Sequence, residues 1–391
     1  MTQATPIQMA PAPTVSGPGP NPGGNRLPTP RPNGVAPGFP YEPRVPYRES
    51  SKTDFVIRAV EWFEDNPQWP NLGRLLLDIW YRMVVRERQA PVVDVPDPEG
   101  SWRFAAIGDY GAGTPQQAMV ARNILRSRPE LLVTTGDNVY PTGRWEDYQK
   151  NFLPEHLMGQ VIRQVPIMPA LGNHDLYLDD LVPYFHYFPQ LQGLPYYTFT
   201  HRDAQFFALD TDQDLSPGSA QYRWLEAELA RSDSRWKVVY MHYPPVSTAP
   251  NGGDDELRRW IAPLMEKYGV QLVLSGHEHS YQRSYPISGP TYVLTGGGGQ
   301  ITYAFRGRRQ PWLARRVPAF HHTEIAVGRD QMVVRAIDKR GNLIDVATIP
   351  VTGATHAIDG VQLRIEDVGL AATRLRGARQ AAAGAHAAQP A

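Results

Sequence analysis

Five short segments of the sequence each place a possible metal ligand directly after a predicted strand. All five lie within about 170 residues of one another. They are Gly-Asp109-Tyr-Gly, Gly-Asp137-Asn-Val-Tyr140, Gly-Asn173-His174-Asp175, Met-His242-Tyr-Pro-Pro and Gly-His277-Glu-His279. A Gly-Asp pair alone is an ordinary turn sequence, because both residues favour turns. Five such segments, each after an apolar run, instead indicate a chain whose strand ends converge on one metal site.

The apolar runs alternate with amphipathic helical stretches, which constrains the fold further. Predicted strands cover residues 104–107, 132–135, 196–200, 206–209, 238–241, 272–275, 291–295, 324–327, 332–337 and 343–349. Predicted helices cover residues 116–125, 221–229 and 256–268. Alternation of this kind predicts a layered α/β fold, in which the polar residues after each strand meet at one edge. The hairpin-like spacing of the last strands predicts two sheets in a sandwich with helices outside.

The predicted catalytic domain spans residues 101–352, and its flanks differ in composition. Residues 1–50 are rich in Pro, Gly, Asn and Thr, which predicts a disordered tail. Two helical patterns over residues 53–90 predict a helical hairpin packed on the main domain, with docking on a membrane surface or a partner as the alternative. Residues 353–391 predict a C-terminal extension with one strand or helix near 361–375 and a disordered end.

Composition excludes several kinds of site and partner. The chain has no cysteine, so disulfides, thiolate nucleophiles and Cys-ligated zinc are excluded, and any metal must bind N and O ligands. The 39 basic and 39 acidic residues cancel and form no basic run, so no nucleic-acid partner is expected. No stretch approaches the roughly 20 apolar residues that cross a bilayer, and no export signal is visible.

The ligand types indicate which metals and which reaction to expect. Carboxylates, a phenol, an amide oxygen and imidazoles form a mixed O/N set suited to iron, zinc or manganese. Two carboxylates and three histidines exceed the needs of one tetrahedral zinc, so we expect two metal ions. Metal ions about 3.5–4 Å apart need an anion between them, and Asp137 is the expected bridge. Such a pair binds a phosphoryl oxygen and generates hydroxide from a metal-held water for in-line attack.

These segments resemble the calcineurin-like metallophosphoesterases, and within them the purple acid phosphatases. The resemblance rests on Asp-x-Gly, Gly-Asp-x-x-Tyr, Gly-Asn-His-Asp/Glu, a lone His and Gly-His-x-His, and it covers about 250 residues. Most of the wider superfamily has a histidine where this chain has Gly111, and Tyr140 supplies a phenol in the second segment instead. The resemblance implies a four-layer α/β/β/α sandwich of two mixed sheets, the metallophosphoesterase fold.

The resemblance also implies how the ligands divide between two metal ions. The first ion, expected to be ferric iron, would be held by Asp109, Asp137, Tyr140 and His279. The second, expected to be divalent iron, zinc or manganese, would be held by Asp137, Asn173, His242 and His277. The residue chemistry agrees, because the first set has three anionic donors and the more highly charged ion belongs there.

Residues beside the proposed ligands are expected to contact the substrate or to support the site. His174 is expected to hydrogen-bond the phosphoryl group or to protonate the leaving alkoxide. Asp175 is expected either to orient His174 or to cap the next helix. The family tends to carry another histidine in the loop after the lone one, but residues 244–255 contain none, so the substrate contacts stay open.

The remaining candidates are expected to be structural. His186 and His201 are expected to be partly buried structural histidines, with a contribution to a pocket as the alternative. His321 and His322 are expected to have structural or surface roles. The run 296–299 lacks the Lys-Ser/Thr of a phosphate-binding loop, so we expect a tight turn that passes close to the metal site.

The sequence therefore predicts a phosphoric ester hydrolase that cleaves small phosphomonoesters with a metal-bound hydroxide. One alternative is a phosphodiesterase or phospholipase-like enzyme on the same two-metal site, since the ligands alone do not separate the two. A second alternative is a metal-binding regulator that has lost catalysis. Localisation stays open between the cytoplasm, for want of a visible signal peptide, and export, which the resemblance implies. The physiological substrate and the oligomeric state are not predicted.

Overall fold

Two mixed β-sheets form the centre of the molecule, as the sequence predicts. The computed structural model describes residues 91–153, 156–176, 181–303, 305, 310–351, 357–358 and 361–362. The predicted tail (1–50), the predicted helical hairpin (53–90) and most of the C-terminal extension lie outside the described residues. No helix in the described part of the chain is long and apolar enough to span a membrane.

Fifteen strands and six α-helices are described, and they are numbered in chain order. The strands are β1 (Trp102–Ile107), β2 (Leu131–Thr134), β3 (Ile167–Pro169), β4 (Tyr197–His201), β5 (Ala204–Ala208), β6 (Trp236–Tyr240), β7 (Leu272–Ser275), β8 (Tyr281–Ser284), β9 (Thr291–Thr295), β10 (Leu313–Val317), β11 (His321–Val327), β12 (Gln331–Asp338), β13 (Leu343–Pro350), β14 (Ala357–Ile358) and β15 (Val361–Gln362). The helices are α1 (Pro115–Ser127), α2 (Trp145–Phe152), α3 (Leu157–Gln164), α4 (Val182–Tyr187), α5 (Ala220–Arg231) and α6 (Asp255–Lys267).

The two large sheets have different strand orders but share one functional edge. The six-stranded sheet runs β13-β12-β11-β1-β2-β3, and the seven-stranded sheet runs β10-β8-β9-β7-β6-β5-β4. Strands β1, β2 and β3 are parallel in the first sheet, and β5, β6, β7 and β9 are parallel in the second. Parallel strands end at the same edge, so the loops that follow them in each sheet lie together.

Apolar residues explain why the sheets stack and why helices cover them. Between the sheets, the rings of Phe104 and Phe206 meet edge to face with centroids 5.1 Å apart. On the outside of the seven-stranded sheet, Trp224 of α5 and Ile261 of α6 belong to a second buried apolar cluster. Buried strands such as Leu272–Ser275 carry apolar residues on both faces, because each face is covered. The result is the predicted sandwich of two sheets with helices outside.

Candidate metal centre

The seven predicted metal ligands converge from the strand ends of both sheets. The loops after β1, β2 and β3 in the six-stranded sheet carry Asp109, Asp137, Tyr140 and Asn173. The loops after β6 and β7 in the seven-stranded sheet carry His242, His277 and His279. Carboxylates and the phenol therefore come from one sheet and all three imidazoles from the other. The site lies where the two sheets meet.

Three of these residues adopt a backbone conformation that side chains other than glycine rarely take. The φ angles are 55° at Asp109, 51° at Asp137 and 68° at His277. Left-handed backbone at a non-glycine residue costs on the order of 1–3 kcal/mol and is concentrated at functional sites. Here it turns the chain sharply after each strand, so that the side chain points into the shared site.

Glycines in the same segments let the loops approach each other closely. A Cβ atom on Gly172 would lie 2.2 Å from the backbone nitrogen of Asp137, and one on Gly136 would lie 2.7 Å from Nδ1 of His242. Gly296 is equally restricted, because its Cβ would lie 2.7 Å from Oδ2 of Asp109. Of the run 296–299, Gly296 thus lies against a proposed ligand, as expected, whereas Gly297 lies against Ala319 and His321.

The four residues predicted for the first metal ion are grouped around the Tyr140 hydroxyl, which contacts each of the other three. The Tyr140 hydroxyl donates to Oδ2 of Asp137 at 2.6 Å and lies 3.3 Å from Oδ1 of Asp109. Nε2 of His279 lies 3.3 Å from that hydroxyl and 3.4 Å from Oδ1 of Asp109. Three oxygen donors and one nitrogen donor thus surround one small volume.

The residues predicted for the second metal ion form an adjoining group. Nε2 of His242 lies 2.9 Å from Oδ1 of Asn173 and 3.4 Å from Oδ1 of Asp137. The rings of His242 and His277 have centroids 5.2 Å apart. Ligand atoms of Asp109, Asp137 and His242 all lie within 4.8 Å of one another. Asp137 contacts Tyr140 through one carboxyl oxygen and His242 through the other, as a bridging ligand between two ions would.

Backbone carbonyls fix which nitrogen each histidine presents to the site. Nδ1 of His242 lies 2.8 Å from the carbonyl oxygen of Thr135, and Nδ1 of His279 lies 2.8 Å from that of Ile301. A carbonyl only accepts, so in each ring the hydrogen is on Nδ1 and the Nε2 lone pair faces the site. Nε2 of His242 and the side-chain oxygen of Asn173 therefore face the same point of the site.

Burial and neighbouring charge control the protonation of these groups. Burial raises the pKa of Asp109 well above its usual range, and the charge of Asp137 adds to this effect although His242 opposes it. Burial also raises the pKa of the Tyr140 phenol, and both carboxylates raise it further. Burial and His242 lower the pKa of His277, which keeps the imidazole neutral. For Asp137, burial is outweighed by His242, His174 and the Tyr140 hydrogen bond, which together lower its pKa to about 2.

The donor set fits a pair of metal ions. Its members are oxygen donors from two carboxylates, a phenol and an amide, and three imidazoles, and they converge on one small volume. Crowded anionic donors of this kind are stabilised by cations, and mixed O/N sets suit iron, zinc and manganese.

His174 lies beside the ligand groups and is partly exposed. Its backbone N–H donates to Oδ1 of Asp137 at 3.0 Å, and its ring centroid lies 4.3 Å from that of Tyr140. Nδ1 of the ring lies 2.9 Å from the carbonyl oxygen of Pro141, which anchors the imidazole at the rim of the site. The structure thus holds the predicted catalytic histidine against both Asp137 and Tyr140.

Asp175 has a role that the sequence did not suggest. Its buried carboxyl accepts hydrogen bonds from the backbone N–H of Gly172 and from both the backbone and the side-chain amide of Asn138. It therefore ties the loop that carries Asp137 to the loop that carries Asn173. Burial and the charge of Asp137 raise the pKa of Asp175 to about 8, against the opposing effect of these N–H donors.

The histidine-free loop over residues 244–255 is tied to the segment that carries His277 and His279. Oε1 of Gln282 accepts from the backbone N–H and the hydroxyl of Thr248, each at 2.8 Å. Oε1 of Glu278 accepts from the backbone N–H of Asn251 at 2.8 Å. These hydrogen bonds fix the loop beside the histidine segment.

The other histidines divide into buried and exposed groups. His201, His321 and His322 are buried; His201 contacts Glu130, and His322 contacts Glu324. His186 is exposed and packs edge-on against Trp145 with ring centroids 4.8 Å apart. The expectation of a partly buried His186 is therefore wrong, because α4 turns this side chain away from the core.

Tyr303 is the residue near the site that sequence reasoning missed. Its ring stacks on the ring of His279, with centroids 4.3 Å apart and planes 18° apart, and its backbone N–H donates to the His279 carbonyl at 2.9 Å. No local pattern marks this tyrosine, which follows the 296–299 glycine run by four residues.

Comparison with known proteins identifies relatives of this arrangement. The calcineurin-like phosphoesterase family model matches residues 103–281. Purple acid phosphatase 4 of Arabidopsis thaliana is 30% identical over 255 residues, which are 56% of this chain and 73% of that protein. Tartrate-resistant acid phosphatase type 5 of Rattus norvegicus is 25% identical over 307 residues, covering 65% of this chain and 91% of that protein.

A solved structure has the same architecture. The purple acid phosphatase PPD1 from yellow lupin (Lupinus luteus) seeds superposes with a TM-score of 0.58 at 19% identity. The match covers 66% of this chain and 55% of the lupin chain. At this identity the likeness shows the shared fold, and the predicted fold class is confirmed.

Proposed function

Since this chain belongs to the purple acid phosphatase family of calcineurin-like phosphoesterases, we propose that it hydrolyses phosphomonoesters at a two-metal centre. The chain is a phosphoric ester hydrolase by family, and the monoester preference is the proposed part. The observation that carries the proposal is the position of Asp137, whose two carboxyl oxygens contact Tyr140 on one side and His242 on the other.

We assign the donors to two ions on the basis of charge. Ferric iron would be held by Asp109, Asp137, Tyr140 and His279. A divalent iron, zinc or manganese ion would be held by Asp137, Asn173, His242 and His277. When bound, such a pair supplies a nucleophile by lowering the pKa of a water and neutralises charge on the phosphoryl oxygens.

The chain's own residues then prepare the site. Thr135 and Ile301 hold His242 and His279 with Nε2 directed inward. Asp175 keeps the Asp137 loop in register with the Asn173 loop. Preorganised donors of this kind favour charge development without having to rearrange during the reaction.

His174 is the proposed proton donor or electrostatic stabiliser. The Pro141 carbonyl occupies Nδ1, so Nε2 is the atom we assign to the phosphoryl oxygen or to the leaving alkoxide. Its partial exposure at the rim is consistent with access to substrate.

The monoester preference is tested by comparing p-nitrophenyl phosphate with bis(p-nitrophenyl) phosphate on the metal-loaded protein. We expect the larger kcat/KM for the monoester. A clear preference for the diester would support the phosphodiesterase alternative instead.

A second comparison tests whether His174 participates in catalysis. His174→Ala should lower kcat by about 10²–10⁴, the usual range for a general acid, while the exposed His186→Ala should leave kcat unchanged. An unchanged kcat in His174→Ala would show that His174 is not the proton donor. A metal-loaded parent without turnover would support a metal-binding regulator that has lost catalysis.

A further inference from the structure

One segment holds His279 on two sides. The carbonyl oxygen of Ile301 lies 2.8 Å from Nδ1 at the edge of the imidazole. Two residues later, the Tyr303 ring lies flat on the face of that imidazole, with centroids 4.3 Å apart. The same segment begins at Gln300, whose backbone N–H donates to the carbonyl of Asp109 at 3.0 Å.

These contacts restrict different motions of the ring. A single hydrogen bond at Nδ1 sets the tautomer and the direction of Nε2, yet it permits the ring to tilt about that bond. A flat aromatic ring on one face opposes this tilt, because stacked rings lose contact area when their planes diverge. The hydrogen bond from the Tyr303 backbone to the His279 carbonyl also fixes the distance between the two residues.

His279 differs in this respect from the other carbonyl-oriented ligand. Nδ1 of His242 is also held by a carbonyl, and its neighbours are the rings of Tyr243 and His277, which meet it at 56° and 77°. The flat stack therefore belongs to the half of the site that contains Tyr140. The ring of Tyr140 meets His279 edge-on at 88°.

We propose that Tyr303 is a positioning residue for the first metal ion, which keeps Nε2 of His279 aimed at that ion and slows the ion's release. The inference rests on the proposed function insofar as His279 is taken as a ligand. It assigns no contact between Tyr303 and the reacting groups. The face of the Tyr303 ring that stacks on His279 is the part of the side chain that holds the imidazole in place.

The test measures metal retention rather than turnover. Iron-loaded protein is mixed with excess chelator, and loss of iron is followed through the visible absorption and by metal analysis. The variants are Tyr303→Phe, which keeps the flat ring, and Tyr303→Leu and Tyr303→Met, which remove it. Tyr222→Leu, at a partly buried tyrosine on α5, controls for loss of a tyrosine elsewhere.

We expect Tyr303→Leu and Tyr303→Met to release iron about 10–100-fold faster, in line with the loss of metal affinity that is usual when a residue supporting a ligand is removed. Tyr303→Phe and Tyr222→Leu should stay within about twofold of the parent. Circular dichroism checks that each variant is folded. Two non-aromatic variants are used so that, if one folds poorly, the release rate of the other still tests the role of Tyr303.

The outcomes separate this inference from the function on which it rests. A parent that retains metal but shows no change in release rate in Tyr303→Leu or Tyr303→Met would overturn the inference alone. A parent that retains metal yet hydrolyses no phosphoester would overturn the proposed function, while the release rates still decide the role of Tyr303. A parent that binds no metal would overturn both.

Discussion

At the scale of single residues, the site holds protons that a metal ion would displace. Burial and neighbouring charge raise the pKa of both Asp109 and Tyr140. The Tyr140 phenol therefore keeps its proton in metal-free protein near neutral pH, and Asp109 keeps its proton to a higher pH than an ordinary carboxyl group does. Both must lose that proton to act as anionic donors. Metal binding and proton release are therefore linked through these two side chains.

This linkage predicts a steep pH dependence of iron affinity. Each proton released on binding makes the affinity rise about tenfold per pH unit, so the affinity should fall as the solution is acidified. Tyr140→Phe removes one of these protons, and the slope of log affinity against pH should decrease by about one. Chelator competition between pH 5 and 8 measures both slopes. Equal slopes would show that Tyr140 keeps its proton in the loaded protein.

Tyr140→Phe should also remove the visible absorption of iron-loaded protein, because a phenolate bound to ferric iron is the expected source of colour in this family. A colourless, iron-free parent with full activity would contradict this assignment of Tyr140.

Asp175 gives a second prediction at this scale. Asp175→Ala leaves three buried N–H donors of Gly172 and Asn138 without an acceptor, and each unsatisfied group costs about 1–3 kcal/mol. We expect a loss of about 3 kcal/mol or more in the unfolding free energy of metal-free protein, measured with urea. Asp175→Asn keeps an acceptor oxygen and should lose about 1 kcal/mol. Similar losses in the two variants would mean that packing, not hydrogen bonding, is the contribution of Asp175.

At the scale of elements, contacts between the loops after the strands, and not the strands themselves, bring the proposed ligands together. Gly136 has a φ of 91° and lies against His242 and the Leu171 carbonyl, whereas Gly218 has a φ of 95° and no atom within 4 Å of a Cβ placed there. The two glycines share an unusual backbone and differ only in what surrounds them. They form a matched pair for measuring loop contact.

We expect Gly218→Ala to cost about 1–2 kcal/mol of unfolding free energy, the strain of a left-handed alanine. Gly136→Ala should cost about 1–3 kcal/mol more, because its Cβ has no space, and should also reduce the metal content. Urea unfolding and metal analysis of both variants provide the comparison. Equal costs with unchanged metal content would show that the loops can separate without harm to the site.

The sequence predicts long elements better than short ones, and it predicts features set by neighbouring residues better than features set by contacts between distant loops. The candidate ligands can be predicted because a residue's type and its position at the end of a strand can both be read from a short stretch of sequence. Helices α2, α3 and α4 have six to eight residues, too few turns for an apolar period to stand out, and they were missed. The edge strand Leu313–Val317 was also missed, since its two arginines obscure the alternation. The roles of Asp175 and Tyr303 depend on which loops meet, which no local pattern records.

At the scale of the whole molecule, the site joins the two sheets. The carboxylates and the phenol come from one sheet and the imidazoles from the other, so a bound ion would connect them. Outside the site, Tyr281 and Arg283 of β8 also link the sheets, through hydrogen bonds to the buried Asp345 of β13. Removing the metal would leave polar contacts such as this one, the contacts of Thr295 with His321 and Thr323, and the apolar core between the sheets.

Metal removal should therefore lower the melting temperature. A ligand present at 100 times its dissociation constant stabilises the folded state by about 2.7 kcal/mol, which corresponds to roughly 5–10 °C for a domain of this size. Differential scanning calorimetry of loaded and chelator-treated protein measures the shift. Asp137→Asn, with the bridging carboxylate removed, should show a much smaller difference. An equal shift in this variant would place the stabilising ion elsewhere.

The pairing of β1 has a consequence for how the protein is made. Strand β1 carries the first ligand segment but lies between β2 and β11, and its partner residues in β11 include Val327 opposite Trp102. On the ribosome, every proposed donor up to His279 is synthesised before that partner strand exists. Domains fold as units during synthesis. The acidic half of the centre is thus flanked on both sides only after β11 has been synthesised, and we expect metal loading to follow the formation of β11 rather than to precede it.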